Sequence, residues 1–153
     1  MPYSQRNPAA SEIIPRLYIS DLSIAEDASH LASLGITHVL SAMRGTVAVP
    51  SAELRLRCTQ VPLEDFPFAE LADHLPGTTA FLRDALRDPN ARVLVHCAQG
   101  ISRSASVVAA FLIASYGWTP PQAIQYVKSK RRIAEPNFGF VSQLHEYAAK
   151  IRR

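Results

Sequence analysis

Cysteine is scarce in this 153-residue chain. Only Cys58 and Cys97 occur, too few for a disulfide framework, so each thiol needs its own explanation. Long apolar runs are also missing: the longest, Val107–Trp118, has 12 residues, short of the ~20 needed to span a bilayer. Met1–Ala10 lacks the apolar region of a secretory signal. The second residue is Pro2 and the last three are Ile151-Arg152-Arg153, which leaves neither a myristoylation site nor a prenylation box. There is no low-complexity tract or internal repeat. No Gly-Lys-Ser/Thr nucleotide loop occurs, no acidic pair suits magnesium, and His30, His38, His74 and His145 have no metal-ligand spacing. The expectations are a soluble intracellular protein, cytoplasmic with the nucleus also open to it, with no membrane partner, metal or cofactor.

What is present suits a globular domain. Apolar residues make up 48% of the chain and charged residues 19%. A chain of this length buries about 68 to 70% of its unfolded surface and needs no cross-links. We expect one domain over 1–153, with 1–11 as a flexible extension. The net charge of +3 is uneven: residues 128–153 hold seven basic and two acidic residues, leaving a net −2 on residues 1–127. Nucleic acid is disfavoured as a partner, because no aromatic-and-basic strand pattern or zinc spacing accompanies the basic end. Oligomeric state is not legible.

Strand patterns alternate with helical ones. A strand is expected over Ile13–Ile19, then a helix over Ser23–Gly35 with Ser23 and Glu26 as a capping box and Gly35 as a left-handed stop. Strands follow over Ile36–Ala42 and Leu54–Leu63, the second weakened by Pro62, and then a helix over Pro76–Asp88. Arg92–His96 carries an unbroken apolar run, Val93-Leu94-Val95, the mark of a strand buried on both faces. A core helix over Arg103–Tyr116 follows. Thr119-Pro120-Pro121-Gln122 opens another helix to about Arg131, and Asn137 caps the last. The fold class is α/β: a central, mostly parallel sheet flanked by helices, with a phosphate-binding loop between the central strand and the next helix.

That loop is His96-Cys97-Ala98-Gln99-Gly100-Ile101-Ser102-Arg103-Ser104. A turn from a strand's end into a helix N-terminus aims backbone amides and a positive dipole end at one spot, where an anion binds. Gly100 lets the chain curl, and Arg103 offers a planar fork for two phosphate oxygens. Cysteines at helix N-termini or beside basic side chains ionise at about pH 3.5 to 7.5, so Cys97 is expected to react as a thiolate. A phosphate cradled by Ala98, Gln99, Gly100, Ile101, Ser102 and Arg103 would sit over the Cys97 sulfur, set for in-line attack and a phosphocysteine intermediate. His96 is read as orienting the loop, and Ser104 as donating its hydroxyl to the thiolate. Cys58 lies in a strand and is read as an ordinary thiol.

Cys-x5-Arg with flanking His, Gly and Ser resembles the cysteine-dependent protein tyrosine phosphatase superfamily, in its small dual-specificity form. The resemblance runs from about Ile14-Pro15-Arg16-Leu17-Tyr18-Ile19 to Pro136-Asn137-Phe138-Gly139-Phe140 and Gln143-Leu144. It implies a general-acid aspartate on a loop well before the cysteine. Asp65, 32 residues before Cys97, fits, and Glu64 competes for the role. From the residues alone, Asp65 is a turn residue. The resemblance also matches Arg132 to an arginine that faces a second phosphate in some relatives. The implied substrates are phosphotyrosine and phosphoserine or phosphothreonine on proteins. The alternatives are a non-protein phosphate such as a phosphoinositide, RNA 5′ phosphate or glycan, a non-catalytic phosphate-binding module, and sulfur-transfer or redox chemistry at Cys97. The uncharged side chains at 98, 99 and 101 weigh against a highly anionic substrate.

Overall fold

The computed structural model describes residues 9–152. Its strands are β1 (Ser11–Ile14), β2 (Leu17–Ser20), β3 (His38–Ala42), β4 (Arg57–Val61) and β5 (Val93–His96). The helices are α1 (Leu22–Ala25), α2 (Ala28–Leu34), α3 (Ser51–Leu54), α4 (Leu75–Leu86), α5 (Arg103–Tyr116), α6 (Pro120–Lys130) and α7 (Phe138–Ile151). A single sheet runs β1-β2-β5-β3-β4, antiparallel between β1 and β2 and parallel elsewhere. None of the described helices is long and apolar enough to cross a membrane.

The apolar run of β5 is explained by its central place. Val93 and Val95 enter the larger core with Leu17, Ile19 and Leu40, which α4 to α7 cover. Leu94 points the other way, into a smaller core with Tyr18, Ala25, Leu31 and Val39. Alternate residues of a strand face opposite sides, so a strand covered on both sides must be apolar throughout. Ten consecutive residues of α5, Ser104 to Ile113, are buried, so this helix packs as the core element behind β5.

Three expected elements differ. Ile13–Ile19 is two strands, because Pro15 supplies no amide and Arg16 turns through a left-handed conformation at φ 73°, folding β2 back on β1. Ser23–Gly35 is two short helices. Asp21 accepts from the Ile24 amide and Asp27 from the Ser29 and His30 amides, so each aspartate starts its own helix. The Ser23–Glu26 box does not form; the Ser23 hydroxyl donates to Asp21 and Glu26 accepts from the Ala48 amide. Gly35 is the left-handed stop. Within Leu54–Leu63 the strand is confined to β4, because Ser51–Leu54 forms α3 and Arg55 reverses the chain at φ 56°. Most of the expected extension 1–11 lies outside the described residues. Ser11, however, opens β1, and the Ala9 carbonyl accepts from Arg131.

Arg16 sets one end of β5. Its guanidinium donates to the carbonyls of Leu86, Asp88 and Ala91, tying the β1–β2 turn to the segment that leads into the central strand. The left-handed backbone costs about 1 to 2 kcal/mol, and hydrogen bonds from a charged donor return about 1.5 to 3 kcal/mol each. The side chain therefore outweighs the strain. Arg16→Gly, although it frees the backbone, is expected to lower unfolding stability by about 1 to 3 kcal/mol in urea; a stabilised variant would show that the strain dominates.

Candidate active site

Cys97 leaves the end of β5 and is buried. The turn beyond it is held by three hydrogen bonds from two separate parts of the chain, the start of α1 and the connection between α6 and α7. The Ala98 carbonyl accepts from the Leu22 amide at 3.1 Å, the Gly100 carbonyl from Arg131 Nε at 2.8 Å, and the Ile101 carbonyl from the Glu135 amide at 2.7 Å. No described peptide bond is cis. In a trans peptide the N–H points opposite to the carbonyl, so pulling these oxygens outward turns the amides of 99, 101 and 102 toward the inside of the curl. Gly100 sits at φ 68°, and a Cβ there would lie 2.6 Å from Arg131 Nη2 and 2.7 Å from the Ser20 carbonyl oxygen. Only glycine fits both the backbone conformation and the space.

No side chain caps the first turn of α5. The Ser102 hydroxyl, the natural candidate, instead accepts from the Asn137 amide at 3.0 Å. Arg103 extends one Nη1 bond to the Leu63 carbonyl at 3.1 Å, and its buried Nε has no partner within the described protein. An unpaired buried donor beside inward amides can hold a tetrahedral oxyanion. Ser104 Oγ stands 3.2 Å from Cys97 Sγ. His96 is fully buried, with Nε2 2.6 Å from the Ser41 hydroxyl and Nδ1 3.3 Å from the Cys97 carbonyl. It links β3 to the backbone of the cysteine.

The segment after β4 reaches the same place from the other side. Asp65 Oδ1 accepts from Asn137 Nδ2 at 3.0 Å, whereas Glu64 turns away to Arg44 at 3.4 Å. Asn137 does three things at once: its amide meets Ser102, its Nδ2 meets Asp65, and its Oδ1 caps α7 at the Phe140 amide. Gln143, one turn further, accepts from the amides of Leu71 and Ala72 and donates to the Ala69 carbonyl. Between them Gly139 abuts Pro67 so closely that a Cβ would fall 2.0 Å from the Pro67 carbonyl oxygen. The start of α7 thus clamps the Asp65 segment against the cysteine loop.

Comparison with known proteins points the same way. Residues 17–150 match the family model for the dual specificity phosphatase catalytic domain. The chain belongs to the dual-specificity phosphatase family. It is 39% identical over 148 residues to dual specificity protein phosphatase 13B of Mus musculus, covering 94% of this chain and 74% of that one. Identity to dual specificity protein phosphatase 26 of Bos taurus is likewise 39%, over 94% and 69%. Among solved structures, a mouse putative dual specificity phosphatase complexed with zinc tungstate superposes with a TM-score of 0.85 at 33% identity, covering 97% of this chain and 91% of that one. The chain is a cysteine-dependent dual-specificity phosphatase.

In this phosphatase Asp65 is linked to the cysteine loop through Asn137, and of the two adjacent arginines it is not Arg132 that turns inward. Arg132 is exposed on the turn after α6. Its neighbour Arg131, which sequence reasoning passed over, is the buried one: besides Gly100 it donates to the Ala9 carbonyl and the Ser11 hydroxyl. Burial pushes its pKa down, opposed by Asp21 and Cys97. Ser41, Gly139 and Gln143 carry no local signal of a role, since the contacts that give them one lie 55 to 74 residues away. Cys58 is exposed on β4, its thiol pKa raised by partial burial.

Burial holds the His96 pKa below its ordinary 6.5, so the folded protein carries neutral imidazole where the unfolded chain takes up a proton. Stability from this group is present above about pH 6.5 and lost as pH falls below it. Thermal midpoints are expected to drop between pH 7 and pH 5, and His96→Asn should flatten part of that slope. His38, also lowered chiefly by burial, keeps the remainder. An unchanged slope in the variant would overturn a neutral, buried His96.

Proposed function

We propose that this phosphatase hydrolyses phosphate monoesters on phosphotyrosine and on phosphoserine or phosphothreonine of proteins through a phosphocysteine intermediate. The observation that supports the reading is that Asn137 joins the Asp65 carboxyl to the loop that holds Cys97, a loop whose Arg103 keeps an unpaired buried Nε. Cys97 attacks phosphorus in line, forming the S–P bond as the P–O bond to the leaving group breaks. Arg103 and the loop 98–102 hold the three non-bridging oxygens and meet the charge that builds on them. Asp65 gives its proton to the departing oxygen, then takes one from the water that attacks the phosphocysteine. Ser104 hydrogen-bonds the sulfur as it is expelled. His96 and Arg131 hold the loop without touching substrate.

Two features support a protein substrate of either type. Ala98 and Gln99 on the loop and Asp65 are exposed, which supports entry of a short phosphoserine as well as of a phosphotyrosine. The variable loop side chains are uncharged, where a multiply phosphorylated lipid or sugar would call for lysines. Arg132, exposed beside the loop, is the candidate contact for a second phosphate on a doubly phosphorylated segment. The cytoplasm, and the nucleus with it, is the proposed compartment.

Cys97→Ser is expected to lose more than about 10³-fold in turnover of p-nitrophenyl phosphate while still binding tungstate, since the cradle survives without its nucleophile. Retained turnover would overturn the covalent route. Asp65→Asn should cost about 10² to 10⁴ on phosphoserine peptides, whose alkoxide leaves badly, and far less on an activated aryl phosphate. Glu64→Gln should stay near wild type for both. An equal loss for every leaving group, or a larger loss in the Glu64 variant, would remove Asp65 as the proton donor.

A further inference from the structure

Among the described residues, the exposed large apolar side chains are Phe66, Phe68, Tyr116, Phe138 and Ile151. Three of the five crowd onto the two segments that meet beside Asp65. Phe66 is 44% exposed, Phe68 88% and Phe138 76%. Phe66 and Phe68 flank Pro67, and Phe138 precedes Gly139, whose backbone presses on Pro67. The Asn137–Asp65 bond closes the same junction. Phenylalanines held in water on a rigid, clamped surface are what an apolar binding patch looks like. Among the described residues, all three are absent from both cores and from the partly buried side chains packed against them.

Their place identifies the occupant. A proton donor has to approach the leaving oxygen, so the residues joined to Asp65 necessarily adjoin the chain that carries the phosphate. Through Asn137 the patch is joined to the cysteine loop, which points to the substrate's own flanking sequence as the occupant. On its own segment the patch is bracketed by the carboxylates Glu64, Asp65 and Glu70, with Glu64 paired to Arg44, while Arg132 lies on the turn after α6. Acidic flanks would be repelled there, and apolar ones would cover the rings.

We propose that Phe66, Phe68 and Phe138 form an apolar shelf that receives an aliphatic or aromatic side chain next to the phosphorylated residue of a protein substrate. This rests on the reading of the site as a protein phosphatase. The shelf acts on binding and orientation, while the chemistry stays with the loop. It sets a preference that a phosphate ester without flanking residues cannot express.

The test uses three substrates on the whole chain: p-nitrophenyl phosphate, a phosphopeptide with leucine or phenylalanine on either side of the phosphoresidue, and the same peptide with those positions changed to aspartate. The wild type is expected to favour the apolar peptide in kcat/KM. Phe68→Ser combined with Phe138→Ser should reduce kcat/KM on that peptide by roughly 3- to 10-fold, about 0.6 to 1.4 kcal/mol. It should leave the aspartate peptide and p-nitrophenyl phosphate unchanged. Phe68→Leu with Phe138→Leu should restore most of the preference. Equal losses on both peptides, or no loss on either, would overturn the shelf. So would a change confined to sedimentation, which would make the patch a contact between copies of this chain. A wild type that hydrolysed p-nitrophenyl phosphate but neither peptide would overturn the protein-phosphatase reading itself, and the shelf with it.

Discussion

The cysteine loop works only while its carbonyls are held outward. A five-residue turn left to itself would satisfy its polar groups locally, and there would be no concave row of amides. Here α1 holds Ala98, Arg131 holds Gly100, and the α6–α7 connection holds Ile101. Two segments distant in sequence, α1 and the α6–α7 connection with Arg131 at its start, must be in place before the loop acquires its shape. The fold therefore prepares the anion site in advance, so little reorganisation is left for the moment of reaction.

Arg131 shows what this demands. A guanidinium almost wholly removed from water is expensive to bury, and one of its nitrogens has no partner within the described residues. Its remaining donors are spread over Gly100, Ala9 and Ser11, so a single side chain joins the edge strand to the catalytic turn. Asn137 is the counterpart on the other flank, joining helix start, loop and acid. Between these two residues the Cys97 loop and the Asp65 segment are tied together, although 32 residues separate Cys97 from Asp65 in the chain. The phenylalanines beside Asp65 lie on the same clamped junction, so a preference for flanking residues would be built into the piece that positions the acid.

Departures from the sequence reading are instructive one by one. Ser23 and Glu26 have the spacing of a capping box, yet Asp21 and Asp27 cap instead, because carboxylates at both helix starts compete better for the free amides. The chain reversal at Pro15-Arg16 was hidden inside an apolar run, since a left-handed arginine leaves no mark in hydropathy. It is tolerated because three distant carbonyls receive the guanidinium. By contrast, the Thr119–Gln122 box formed as spelled, its two bonds lying within one turn.

The residues alone determined the local and the chemical. Val93-Leu94-Val95 specifies a strand covered on both faces, Arg103–Tyr116 a buried helix, and the cysteine-to-arginine spacing an anion-binding turn with its nucleophile. These follow from short-range periodicity and from side-chain chemistry that travels with the letters. Which of two adjacent arginines turns inward, which of two adjacent carboxylates faces the loop, and which serine receives His96 were decided by tertiary structure. Neighbours in sequence share composition and spacing but not direction, and direction is set by partners 30 to 120 residues away.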